Sequence, residues 1–109
     1  MNAVKETLER CRAAWLDLEH IKAHREAMGD VLEDDYQRRR DEVIEQTKTA
    51  LALIERLRGN DSYWVLMHYY IDHRTWREVA ELCAMSERMV YFTRNKAIAE
   101  LERCAENTP

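Results

Sequence analysis

The chain has 109 residues, 35% of them charged, a formal net charge of −4, and only two Gly and one Pro, the Pro in last place. That length holds one domain, or one small domain with an extended helical appendage, and the shortage of helix breakers predicts an all-α fold of almost continuous helix. No apolar run is long enough for a membrane span and no signal-peptide pattern is present, so the expected protein is soluble, not exported and without a membrane partner. Cys11, Cys83 and Cys104 are scattered without metal spacing, which fits inert thiols in a reducing cytoplasm.

The first predicted helix carries Val4, Leu8, Cys11, Trp15 and Leu18, which step by 4, 3, 4 and 3. That is a seam of heptad type. It ends near Met28-Gly29-Asp30, where Gly29 can serve as the residue after the C-cap. A second helix is expected from about Glu33 to Arg58, with Tyr36, Val43, Thr47, Ala50, Ile54 and Leu57 as its stripe, widened by Ile44 and Leu51. The short connection favours an antiparallel hairpin over residues 1–58. One hairpin buries too little to stand alone, so it must pack on the C-terminal part, on a second copy, or on both; its role is that of an oligomerisation or packing arm.

Two side-chain groups in this half have a sharp and a bland reading. His20 and His24 are four apart, as in a metal pair, but nothing evident completes a site and no metal is expected. Arg38, Arg39 and Arg40 resemble a nucleic-acid patch. Asp34, Asp35, Asp41 and Glu42 bracket them, so a solvated, self-compensated face is the preferred reading.

Residues 60–109 form the second expected unit. Gly59-Asn60-Asp61 ends one helix and starts the next. The run from Ser62 to Ile71 is the densest apolar and aromatic stretch. Val65, Leu66, Tyr69 and Tyr70 should form a core with Val79, Val90 and Leu101; stacking of these rings on bases is the less favoured alternative. His73 falls in the following turn, where an irregular backbone is expected. Thr75 and Glu78 make a T-x-x-E capping box, so a helix should start at Trp76. Trp76 itself should fold onto the module, with a surface anchor as the alternative. Val79, Ala80 and Cys83 give the buried face, Cys83-Ala84-Met85 the turn, and Ser86 the N-cap of the last helix. Val90, Thr93, Ala97 and Leu101, at spacings of 3, 4 and 4, form its inward stripe. Glu87, Arg88, Tyr91, Phe92, Asn95 and Lys96 are left for the outward side. Two short helices joined by a tight turn, the second with a polar and aromatic outer side, make the pattern of a helix-turn-helix.

The segment from about Asn60 to Leu101 resembles the region-4-like helix-turn-helix of phage-encoded, sigma-factor-like transcriptional regulators, the RinA/ArpU-like late-gene activators. The resemblance rests on VLMHYYIDHRTWREVA, on Met85-Ser86-Glu87-Arg88, on Val90-Tyr91 and on Lys96-Ala97-Ile98. It implies DNA binding and a contact with RNA polymerase. Two residues depart from the family pattern: Ala84 stands where Gly is usual, and Phe92 where a polar or basic residue is usual. If Ala84 takes a positive φ, it costs about 1 kcal/mol relative to Gly. Phe92 is open to a thymine methyl or to a neighbouring subunit.

Charge tempers the DNA reading. Residues 1–60 carry 11 basic and 13 acidic side chains, and residues 61–109 carry 6 and 8. Neither half is basic, so the phosphate term of a monomer is small, and a second copy or RNA polymerase is needed to hold the chain on DNA. No Ser/His/Asp set, Gly-rich phosphate loop or carboxylate pair in an apolar setting is present, and neither an enzyme nor a cofactor is expected. The reading is a cytoplasmic, sequence-specific DNA-binding regulator of phage or prophage genes that inserts the helix from Ser86 to about Ala99 into the major groove. Arg88, Tyr91, Phe92 and Asn95 are assigned to base edges, and Arg77, Arg94 and Lys96 to phosphates. Ser86 caps the helix, and Glu87 lies in its first turn. The alternatives are a module that docks on RNA polymerase or a sigma or anti-sigma partner, and a phage structural or packaging adaptor.

Overall fold

A computed structural model describes residues 3–106; residues 107–109, the end of the expected C-terminal unit, lie outside it. The fold is all-α. Helix α1 spans Ala3–Met28 and α2 spans Glu33–Ile54. Gly29 joins them with φ 58°, and a short 3-10 turn follows at Gly29–Leu32. This is the left-handed position after a helix end that glycine fills without a Cβ penalty. A second 3-10 turn at Glu55–Leu57 closes α2. Helix α3, Asp61–Leu66, widens into a π turn at Met67–Ile71. Helix α4 spans Trp76–Leu82 and α5 spans Glu87–Glu106.

The α1–α2 hairpin packs on the C-terminal helices through one end only. Val4, Leu8 and Cys11 of α1 and Ala50, Ile54 and Leu57 at the end of α2 share a core with Tyr63, Leu66, Tyr70, Ala97, Ile98 and Leu101. Past Cys11 no residue of α1 is buried, and none of α2 is buried before Ala50. The rest of the hairpin is an arm. Its helices are tied by Arg25 to Glu33 at 2.8 Å, by Arg25 over the Tyr36 ring at 4.1 Å, and by Arg39 to Asp17 at 3.6 Å. Arg38 and Arg39 also pair with Asp35, and Arg40 donates to Gln37, so two of the three arginines are compensated within the arm. His20 and His24 meet edge to face at 4.7 Å. Among the described residues no group of three or more His, Cys, Asp or Glu side chains could hold a metal ion, and no helix is long and apolar enough to cross a membrane.

The base of the hairpin is also held by polar contacts. Glu102 of α5 accepts from the backbone N–H of Val4 at 2.7 Å and of Lys5 at 3.3 Å. A carboxylate from another helix thus caps the N-terminus of α1, where the first N–H groups have no intrahelical partner. The Tyr70 hydroxyl donates to Glu9 at 3.1 Å. The Cys11 thiol reaches the Tyr70 carbonyl at 3.5 Å, and burial raises its pKa, as expected of a core thiol.

A second, smaller cluster of Val65, Val79, Ala80 and Val90 holds α3, α4 and α5 together, with Tyr69, Trp76, Cys83 and Met85 around it. The expected core of the C-terminal unit is therefore divided. Leu66, Tyr70 and Leu101 face the hairpin, while Val65, Val79 and Val90 lie in the smaller cluster.

Candidate functional site

The α4–turn–α5 unit is shaped by its caps. At its start Thr75 Oγ1 accepts from the Glu78 N–H at 3.2 Å, and Glu78 accepts from the Thr75 N–H at 3.0 Å, so the capping box is complete. Those hydrogen bonds hold the Glu78 carboxyl below its ordinary pKa. At the end of α4 the Met85 N–H donates to the Ala80 carbonyl at 2.9 Å and the Ala84 N–H to that of Glu81 at 3.3 Å. This is a Schellman motif with Ala84 in the position after the C-cap, at φ 54°. The alanine sits in the left-handed region that usually calls for glycine. Met85 packs against the small cluster just beyond it. Ser86 then accepts from the Met89 N–H at 3.1 Å and starts α5.

Of the residues assigned to an interface, Arg77 on α4 and Ser86, Glu87, Arg88, Asn95 and Lys96 are exposed. Tyr91 is 55% and Phe92 62% exposed. On a helix of 3.6 residues per turn Arg88, Phe92, Asn95 and Lys96 share the side opposite Val90, Ala97 and Leu101. Arg103 is exposed two further turns along the same side. Its spacing of seven residues from Lys96 is the signal in the sequence that could have found it.

Arg94 is not on that side. It is 8% exposed and lies between aromatic rings, 5.0 Å from Trp76 and 4.7 Å from Tyr91. Its assignment to phosphate is corrected accordingly. The inward stripe runs through Val90, Arg94, Ala97, Ile98 and Leu101, with Thr93 only half-buried. Arginine tolerates this place because its stem is apolar and its flat, weakly hydrated guanidinium stacks on rings. One of its terminal nitrogens is 3.9 Å from Glu9 of α1. Its Nε and the other terminal nitrogen donate to Asn95 Oδ1 at 3.2 and 2.8 Å.

Arg94 is one rung of a ladder of cations and rings. Arg12 of α1 covers the Tyr69 ring at 4.2 Å, Tyr69 stacks on Trp76 at 3.6 Å, and Trp76 is followed by Arg94 and Tyr91. Trp76 thus folds onto the module. Beside the ladder His73 takes φ 55° and stacks on Trp15 at 4.3 Å. Burial, and then the Arg12 guanidinium, lowers the His73 pKa.

A second surface flanks the outward side of α5. Met89 is exposed beside Phe92, and Trp64 and Leu82 are exposed around a neighbouring groove that shares Asp61 and Met85. A groove of about 490 Å³ opens between the start of α3 and α5, lined by Asp61, Met85, Met89, Phe92 and Lys96 among others.

A match to the family described as "Protein of unknown function (DUF1492)" spans residues 27–102. The chain belongs to that family. The match begins at the tip of the hairpin and takes in α2 to α4 and α5 as far as Glu102. No curated protein and no solved structure matches the chain.

Proposed function

We propose that this member of the DUF1492 family is a DNA-binding transcriptional regulator, of phage or prophage genes, that works in the cytoplasm and uses α5 as the recognition helix of a helix-turn-helix. The observation that carries the reading is the outward side of α5. Arg88, Phe92, Asn95, Lys96 and Arg103 are exposed together on a helix whose opposite side is fully engaged in packing. Arg88 lies in the first turn, where side chains of a recognition helix reach base edges. Lys96 and Arg103 lie further along, at the height of the phosphates, and Arg77 joins them from α4. With Arg94 buried, the phosphate contacts of one copy are few. The net charge of −4 adds to the need for a second copy paired through the arm, or for RNA polymerase as a joint holder.

The exposed Met89 and Phe92 beside the groove, with Trp64 and Leu82 at the neighbouring one, favour a second reading, in which the same end of the molecule docks on a protein such as RNA polymerase or a sigma or anti-sigma partner. Sites selected from random duplexes, with and without polymerase, separate the two. For a DNA reader, Arg88→Ala weakens the selected site by roughly 1–3 kcal/mol and relaxes one base position. Lys96→Ala weakens all duplexes evenly and lowers the salt slope by about one. If both variants bind every duplex like the parent, α5 is a protein-docking helix.

A further inference from the structure

Asn95 is exposed on the outward side of α5, yet its amide is not free to turn. Arg94 Nε and a terminal nitrogen both donate to Asn95 Oδ1, at 3.2 and 2.8 Å. An arginine has donors and no acceptor, so the oxygen of the amide must be the atom that faces it. The guanidinium is itself fixed, at 8% exposure, between the Trp76 and Tyr91 rings. The fork of two donors holds Oδ1 toward Arg94, and the amide nitrogen is left as the outward group.

An asparagine that reads adenine needs both ends of its amide: the nitrogen donates to N7 and the oxygen accepts from the N6 amino group. Here the oxygen is turned away from the outward side, toward Arg94. Resting on the DNA-binding reading of α5, we infer that Asn95 acts as a donor only and selects a base whose major-groove edge has acceptors and no donor. Guanine, with N7 and O6, and thymine, with O4, meet that condition. Cytosine presents only an amino group, and adenine sets its amino group beside N7 against the same outward donor, so both are disfavoured. Arg94 is the positioning residue: it touches no base and sets which atom of Asn95 does.

The test is site selection from random duplexes with the full chain, followed by binding to single-base variants of the selected site. The parent should show one position restricted to guanine or thymine, with adenine or cytosine there weakening binding on the order of tenfold. Asn95→Ala should make that position indifferent. Asn95→Asp keeps the acceptor toward Arg94 but replaces the outward donor by an oxygen, and should move the preference toward cytosine. Arg94→Met keeps the stem and removes the donors, so adenine should become acceptable at that position alone. Thermal melts of each variant accompany the binding data, and Asn95→Asp carries the test if Arg94→Met fails to fold. A parent position that depends on Asn95 and prefers adenine overturns the inference and leaves the DNA reading intact. An Asn95→Ala profile identical to the parent's also overturns it. A parent that enriches no sequence overturns both.

Discussion

At its base the α1–α2 hairpin buries Val4, Leu8, Cys11, Ala50 and Ile54. Along the arm the same seam continues through Trp15 and Leu18, and the same stripe begins at Tyr36 and Val43, with no residue buried. The two regions share one apolar period and differ only in what lies beside them. Near the base a third layer, formed by α3, its π turn and α5, removes the seam from water. Along the arm the seam meets its partner helix, with Trp15 also stacked on His73, and Leu16 and Ile44 beside it remain 52% and 41% exposed. A helical stripe states which side of a helix is apolar. It does not state whether a third element will cover it.

The largest effect expected separates these regions directly. Leu8→Ala removes a fully buried side chain and should cost about 2–5 kcal/mol. Leu16→Ala on the arm should cost less than about 0.5 kcal/mol. Denaturant unfolding of both variants measures the difference, and equal losses would mean that the arm is part of the core.

The next contrast lies within α5. Val90 is fully buried and Arg88 exposed. Val90→Asp should therefore destabilise the chain by several kcal/mol, while Arg88→Ala should change stability by less than about 0.5 kcal/mol. Thermal melts decide it. An early-melting Arg88→Ala would show that α5 is rotated from the register described.

Self-association sharpens the comparison in a different way. If the arm pairs two copies, the double substitution Leu16→Glu with Ile44→Glu should leave the melt of the isolated chain nearly unchanged and abolish the dimer in sedimentation. A parent that sediments as a monomer at tens of micromolar, on the order of usual working concentrations, removes the pairing idea.

A smaller gain is expected at the turn. Ala84→Gly relieves a left-handed alanine at φ 54° and should stabilise the chain by about 1 kcal/mol in the same melts.

The smallest effect is one of pH. His73 has a lowered pKa in the folded chain, so the unfolded chain takes up the proton first, around the ordinary value of 6.5. Stability is whole above that pH and declines as pH falls through the depressed folded value. Glu78 adds a separate loss further down, as its lowered carboxyl pKa is crossed below 4.5. His73→Gln should remove the upper step and leave the lower one.

Much of this was legible in the residues. The capping box at Thr75 and Glu78, the serine cap at Ser86 and the glycine at position 29 are local devices, and each fixes an element end through neighbours in the chain. The register of α5 was half legible. Val90, Ala97 and Leu101 lie inward as their spacing predicts, and the same 3, 4 and 4 spacing points to Thr93 for the slot between them. Arg94 occupies it because Trp76 and Tyr91, distant or exposed in sequence terms, supply two ring faces there. The cap that Glu102 gives α1 spans almost the whole chain, and no periodicity announces such a contact. The division of the apolar residues into two clusters likewise depends on how the hairpin seats, which the spacing of either helix alone does not contain.

The ladder also gives the protein an optical property. Trp76 lies 3.6 Å from Tyr69 on one side and 5.0 Å from the Arg94 guanidinium on another, so its transitions are coupled to a neighbouring ring and perturbed by a fixed charge. Trp15, stacked on His73, reports the arm, while the exposed Trp64 sits in water. Near-ultraviolet dichroism and tryptophan emission therefore read the seating of α5 and the seating of the arm as separate signals, without any added label.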